Sequence, residues 1–276
     1  MLTLETKIDM IVDQIEKLAF ALDHLPSLEW LSTEVHQFCS AFELDTESEK
    51  KILNILRTKI SVTVGEAAVL VSDKPREEWL SEARKTEIDW YFWNRFKEQF
   101  KQKNIPKSVL KRTDTDTDKV LSLLGDPKLA IGFRCRGMVI GDVQAGKTNN
   151  YSALINKAAD AGYKLVIVLT GIVEDLRQQT QKRLDTDFVG SVSIAGQSGK
   201  GRETKIIGVG KSDDSRLPFC LTDREADVKK DPSYSISTIL EPILVVTKKN
   251  KHSLERLSKW LSSEVNTKNG SVKQPV

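Results

Sequence analysis

The stretch GMVIGDVQAGKTNNYSALINKAADAGYKLVIVLTG, residues 137–171, decides the fold class of this chain. Gly137 to Gly141 form a short apolar run that reads as a strand. Lys147 to Ala161 follow as a helix with Tyr151, Leu154, Ile155, Ala158 and Ala159 on one face. Gly162 stands where a helix C-terminus wants a residue free to take positive φ. Then KLVIVLTG, closed by Gly171, is the continuous apolar run of a buried parallel strand. Strand, helix, strand in this order predicts a parallel sheet with right-handed crossovers.

Between the first strand and the helix lies Gly141-Asp142-Val143-Gln144-Ala145-Gly146-Lys147-Thr148, which fits the phosphate-loop pattern G-x-x-x-x-G-K-[ST]. Such a loop turns successive backbone amides toward phosphate, and the following helix points its positive end the same way. Lys147 is expected to reach the β- and γ-phosphates of ATP, and Thr148 to hold Mg²⁺. Hydrolysis needs more, namely a carboxylate at the end of another strand to hold the metal and set up the attacking water. The run ILVVT ends in Lys248-Lys249-Asn250 and LVIVLT ends in Gly171, so neither strand supplies that acid.

Working outward, residues 173–184 continue as a helix. Weaker strands follow around Val192–Ala195 and Lys205–Val209, then the strand Ile243–Thr247 and a final helix from about Ser253 to Val265. Toward the N-terminus the texture is helical. Ile8, Ile11, Ile15, Leu18 and Leu22 recur at three- and four-residue spacing, and Leu28, Leu31, Val35, Phe38 and Phe42 repeat it after Pro26. Thr46-Glu-Ser-Glu49 matches a capping box ahead of Ile52, Leu53, Leu56 and Ile60. Residues 76–103 read as one further helix crowded with Trp79, Trp90, Tyr91, Phe92, Trp93, Phe96 and Phe100. Those rings suit core packing, and beside Arg95 and Lys97 they also suit stacking on bases.

The polar stretch from 104 to 131 marks a boundary. The expected organisation is a helical N-terminal region, 1–130, followed by a partial P-loop NTPase parallel sheet, 131–276, in an α/β fold. Asp114, Asp116 and Asp118 fail the calcium-loop pattern, because Lys119 and Gly125 stand where Gly and Glu are needed. They are expected instead to cap the N-terminus of a short helix ending near Gly125.

The chain has 276 residues, 29% charged and 39% hydrophobic, with a net charge of +3. That length supports one large domain or two ordinary ones. The charge permits contact with nucleic acid without indicating it. No apolar run approaches the about 20 residues of a membrane span, and the acid-bearing N-terminus does not read as a secretory signal. Three widely spaced cysteines, Cys39, Cys135 and Cys220, argue against a disulfide framework and fit a cytoplasmic setting. His24, His36 and His252 fall on separate elements without ligands at zinc spacing. Asp214 with Asp227-Val-Lys229 has the form of a metal-dependent nuclease triplet, a form that arises easily in charged sequence. Lys248, Lys249, Lys251 and His252 cluster at a strand's C-terminal end, where a solvated loop and a phosphate contact are both consistent with the residues.

The segment RGMVIGDVQAGKTNNYSALINKAADAGYKLVIVLTGIVEDLRQQTQKRLD, residues 136–185, resembles the Z1 domain of bacterial proteins described as endonucleases. The similar features are the Gly-x-Val-Gln-[Ser/Ala]-Gly-Lys-Thr loop, Asn150-Tyr151, KAADAGYK, and the helix with Leu176, Arg177, Gln179 and Thr180. Others are the Trp90/Trp93 region, TDKVLSLLGDP, ILVVTKKN and LERLSKWL, so the resemblance runs from about 80 to 265. It implies a helicase-like ATPase in DNA processing, restriction or phage defence, binding ATP and Mg²⁺, with Lys248 and Lys249 as candidate DNA-phosphate contacts. Members of that family continue into a strand ending in paired acids where this sequence stops, so a fragment that binds without hydrolysing is expected. The alternative is a non-catalytic nucleotide-sensing or interaction module that meets a protein partner through its N-terminal helices.

Overall fold

The computed structural model describes residues 3–22, 26–59, 79–103, 105–129, 133–140, 147–195, 202–228 and 235–264. The chain is mixed α/β and divides into two compact units. The first comprises residues 1–75, 104–116 and 141–145; the second comprises 76–103, 117–140 and 146–276.

The first unit packs α1 (Leu4–Ala21), α2 (Leu28–Ala41) and α3 (Thr46–Lys59) around Ile8, Ile11, Val12, Ile15, Leu31, Val35, Cys39, Ile52 and Leu56. The three-four spacing names most of this core, but Leu18 and Leu28 lie exposed while Val12 and Cys39 are inside. Residue 46 is not the cap of α3. Asp45 is, accepting the Ser48 amide at 2.9 Å, and the Ser48 hydroxyl first, with that amide bond second, lowers its pKa. A carboxylate one residue upstream offers a charged acceptor to the same end of the helix.

In the second unit the expected single helix over 76–103 is, among its described residues, two helices: α4 (Glu82–Glu87) and α5 (Tyr91–Gln102). Ile88 adopts extended backbone between them. The break exposes amides at the start of α5, which a side chain from a distant helix takes up, as described below. The aromatics settle as core: Phe92, Trp93, Phe96 and Phe100 are buried, and the Trp79 and Trp90 ring N–H groups donate to the Leu121 and Lys85 carbonyls.

Helix α6 runs Lys107–Leu123, far longer than expected. Asp114, Asp116 and Asp118 therefore lie within it rather than at its N-terminus. Asp116 pairs with Arg112 one turn earlier, and Asp118 pairs with Lys85 and Lys157 at 2.8 and 2.5 Å. Side-chain ion pairs replace the capping role that the spacing suggested.

Helix α7 (Lys147–Ala161) starts and stops as its residues predict. Gly162 takes φ +114°, and the amides of Gly162 and Tyr163 bond back to Ala158. Strand β1 (Leu165–Thr170) follows, then α8 (Glu174–Leu184) and a buried π-helical turn, Asp185–Val189. Next come β2 (Ser191–Ala195), β3 (Arg202–Ile206), β4 (Phe219–Cys220), β5 (Ile243–Lys248) and α9 (Lys251–Glu264).

The main sheet is parallel, in the order β1-β5-β4, with Leu165 opposite Ile243 and Thr170 opposite Lys248. Its two faces separate by the period-two rule. Val166, Val168, Leu244 and Val246 face Ile155 and Ala159 of α7, with Phe92, Leu184 and Phe188. Leu165, Ile167, Ile243 and Val245 face Leu257 and Trp260 of α9. β5, buried along Ile243–Thr247, is the central strand, and β1 is an edge with Leu169 exposed.

Two strand expectations are corrected. Residues 137–140 form no strand; Met138 and Ile140 are 82% and 83% exposed, and no sheet ladder reaches them. An apolar run becomes a strand only when a neighbour pairs its backbone. Val192–Ala195 and Lys205–Val209 do not join the parallel sheet. β2 and β3 pair antiparallel with each other as a separate ribbon, and Val209 lies in a 3₁₀ turn.

Candidate nucleotide-binding site

The loop residues Gly141, Asp142, Val143, Gln144, Ala145 and Gly146 lie outside the described residues, as do the side chains of Lys147 and Thr148. What is described is the helix that begins at Lys147 and a set of contacts along its length. That support is polar to an unusual degree for a helix packed on a sheet: Ser152, Asn156 and Lys157 of α7 are all buried.

At its C-terminal end α7 is tied to two helices. The Asp160 carboxylate accepts the Phe92 and Trp93 amides at 2.9 and 2.8 Å, capping α5 across the chain. Burial pushes the Asp160 carboxyl up to about 7, against the two amide bonds and the nearby Arg216, with Asp89 adding to the rise. Lys157 sits over the Trp93 ring, 4.6 Å from its centroid, while paired with Asp118.

In its middle α7 meets the π-helical turn, which a hydrogen bond from the Gly190 amide to the Asp185 carbonyl (2.8 Å) closes. The Asn156 amide group donates to the carbonyls of Asp187 and Ser152, at 3.0 and 2.8 Å. The Ser152 hydroxyl reaches the Asp187 carboxylate at 3.5 Å. Asp187 is fully buried and is met by Lys103 at 3.3 Å and by Arg183. From the other side, α5 lays one polar ladder on the same turn. Arg95 donates to the Phe188 and Val189 carbonyls, Gln99 to the Thr186 carbonyl, and Lys103 to Asp187. Residues 95, 99 and 103 are one helical turn apart, so one face of α5, continued by its C-cap residue Lys103, makes all three contacts.

At its start α7 is held by α8. Arg183, which pairs with Asp187, also donates from Nη2 to the Asn149 side-chain oxygen at 2.6 Å. Asn149 follows Thr148 directly. The Arg183 side chain is partly exposed, 38% of its area reaching solvent.

The C-terminal edge of the sheet holds the other candidates. Lys248 pairs with Glu174 in the first turn of α8 at 2.5 Å, and Arg177, fully buried, pairs with the same carboxylate. Those two partners hold Glu174 below the usual carboxylate range, Arg177 first. Lys249 is exposed, and its amide bonds to the Thr170 and Gly171 carbonyls. The Asp227 carboxylate accepts the Lys248 amide and the Ser253 hydroxyl, joining the end of β5 to the start of α9. Asp214 is exposed, and Lys229 lies outside the described residues. Asp227 thus serves here as a brace of the strand end.

Sequence reasoning missed the Asp160 cap, the Glu174–Lys248 pair and the Asp187 network. Only the last leaves a local signal: Arg183 and Asp187 stand at i, i+4, and Arg95, Gln99 and Lys103 at successive turns. What the arrangement can do is present the N-terminal end of one long helix in a fixed position. That end carries the Lys147-Thr148 pair at a helix N-terminus, with the Arg183 guanidinium bonded to the next residue, Asn149, a donor set suited to an anionic polyphosphate. The chain matches no family model, no curated protein and no solved structure.

Proposed function

We propose that this chain binds a nucleoside triphosphate with Mg²⁺, ATP in the first place, at residues 141–148. The observation that carries the reading is that α7 begins at Lys147, where the phosphate-loop pattern requires its helix to begin. Lys147 takes the terminal phosphates, Thr148 the metal, and the amides of 141–147 the remaining oxygens. The resemblance to the Z1 domain extends the proposal to a helicase-like ATPase acting on DNA, with Lys249 the freer of the two candidate phosphate contacts because Lys248 is engaged by Glu174. Glu174 and Asp227 are each occupied by partners within the fold, which favours binding over hydrolysis for this chain.

A second reading rests on the first unit. Leu4, Met10 and Leu18 on α1 are exposed and fall within one side of that helix, a surface suited to a protein partner in a nucleotide-sensing or interaction module. Titration calorimetry with MgATP on the wild-type chain and on Lys147→Ala tests the first reading. Saturable binding by the wild type, weakened at least about tenfold in the variant, is expected. Equal binding by both proteins, or none by the wild type, overturns it.

A further inference from the structure

The buried ionic cluster at Asp187 calls for explanation. A charged network buried under a helix contributes little stability over a well-packed apolar one, because desolvation offsets the attraction. Here a fully buried carboxylate is met by two half-exposed cations, Lys103 and Arg183, and by Ser152, while Asn156 holds the backbone of the same turn. The turn that carries it is a π-helical one, a backbone form frequent at functional sites. Among the described contacts of the cluster, the one that reaches forward to the first turn of α7 is that of Arg183, at Asn149.

We infer that Arg183 is a positioning residue for the phosphate-binding end of α7, oriented by Asp187 and acting through Asn149. The inference rests on the nucleotide-binding reading above. The side-chain path is short: Asp187 is ion-paired with the guanidinium, whose Nη2 donates to Asn149, the residue that follows Lys147 and Thr148. Asn149 and Ser152 are one turn apart, so Arg183 of α8 and Asp187 of the π-helical turn hold one flank of α7 at two levels. The planar fork of arginine suits this task, since it engages a carboxylate and an amide oxygen at once, and a lysine ammonium lacks that geometry. At metal sites, removing a contact that orients a ligating side chain costs about ten- to hundredfold in affinity, and a loss of that order is expected for this contact.

The test uses the full chain and the Mg²⁺ complex of a non-hydrolysable ATP analogue. Its dissociation constant is measured by calorimetry for the wild type, Arg183→Gln, Asn149→Leu and the double variant, at a temperature where all four are folded. Asn149→Leu keeps both cations that meet the buried Asp187, so it reports on the contact even where Arg183→Gln fails to fold. Each single variant is expected to weaken binding about tenfold or more, with the double variant no weaker than the worse single. The backbone amide resonances of Lys147 and Thr148 are expected to shift in both ligand-free singles while those of β5 stay in place, which a loss of general stability does not produce. If the wild type binds and Asn149→Leu binds equally well, or the two losses multiply in the double variant, Arg183 has no positioning role. If the wild type itself does not bind, the nucleotide reading falls and this inference with it.

Discussion

Asp160 caps a helix to which it does not belong: its carboxylate, in the last turn of α7, accepts the Trp93 amide of α5 at 2.8 Å. Burial raises this carboxyl to about 7, above the ordinary 3.8. The folded state therefore holds a proton that the unfolded chain has lost between those two values. Stability contributed by the neutral form is complete at low pH and declines as pH rises toward 7. At 1.36 kcal/mol per pH unit the interval corresponds to at most about 4 kcal/mol, an upper bound because the side chain is only partly buried. Urea denaturation of wild type and Asp160→Asn between pH 4.5 and 7.5 checks this. The wild type should lose stability relative to the variant across that range, and a constant difference would show that Asp160 titrates normally.

Lys157 and Asp118 give an asymmetric prediction. Lys157 is 1% exposed and Asp118 is 23% exposed. Asp118→Asn removes the counterion of a buried ammonium and is expected to cost about 3–5 kcal/mol. Lys157→Met keeps the aliphatic stem and leaves Asp118 at the surface paired with Lys85, so its cost should stay below about 1.5 kcal/mol. Equal losses in chemical denaturation would mean that Lys157 is not held as a charge.

Gly190 follows the π-helical turn at φ +84°, and a Cβ there would lie 2.7 Å from the Gly210 amide nitrogen and against the Arg95 guanidinium. Gly190→Ala combines a left-handed backbone with a steric clash and is expected to destabilise by about 2–5 kcal/mol. The unfolding midpoint in urea reports it, and a loss below about 0.5 kcal/mol would show that the turn relaxes freely.

Tyr91 anchors an exposed turn. Its hydroxyl donates to Asp213 at 2.8 Å and accepts the Arg216 amide at 3.0 Å. The Ser215 amide and hydroxyl, with Tyr91, lower the Asp213 carboxyl to about 2. Tyr91→Phe should move the carboxyl resonance of Asp213 in a ¹³C-detected titration toward the ordinary range. An unchanged midpoint would assign the whole depression to the turn itself.

The α7–β1 stretch was legible because its signals are local. A helical face at three-four spacing, a glycine at the helix end and an apolar run each act within a few residues, and all three elements appear where read. Ile243–Thr247 was legible for the same reason, being apolar enough to demand burial on both faces. β4 was not, because its two residues pair with β5 and then give way to Thr222, whose hydroxyl accepts the Val246 amide in place of a ladder bond. The 137–140 run shows the opposite failure: local apolarity without a partner strand makes no strand.

By itself the sequence determined that residues 147–170 are a helix and a parallel strand, and that a phosphate-loop pattern precedes them. Periodicity, glycine conformation and motif spacing depend on near neighbours alone. Only the tertiary structure decided which polar side chains are buried and what they meet. Asp187 with Lys103, Asp160 with Phe92 and Trp93, and Arg183 with Asn149 join residues 34 to 84 positions apart. Whether such a group is a solvated charge or the brace of a helix depends on desolvation and on the partner the fold brings to it, and spacing along the chain carries neither.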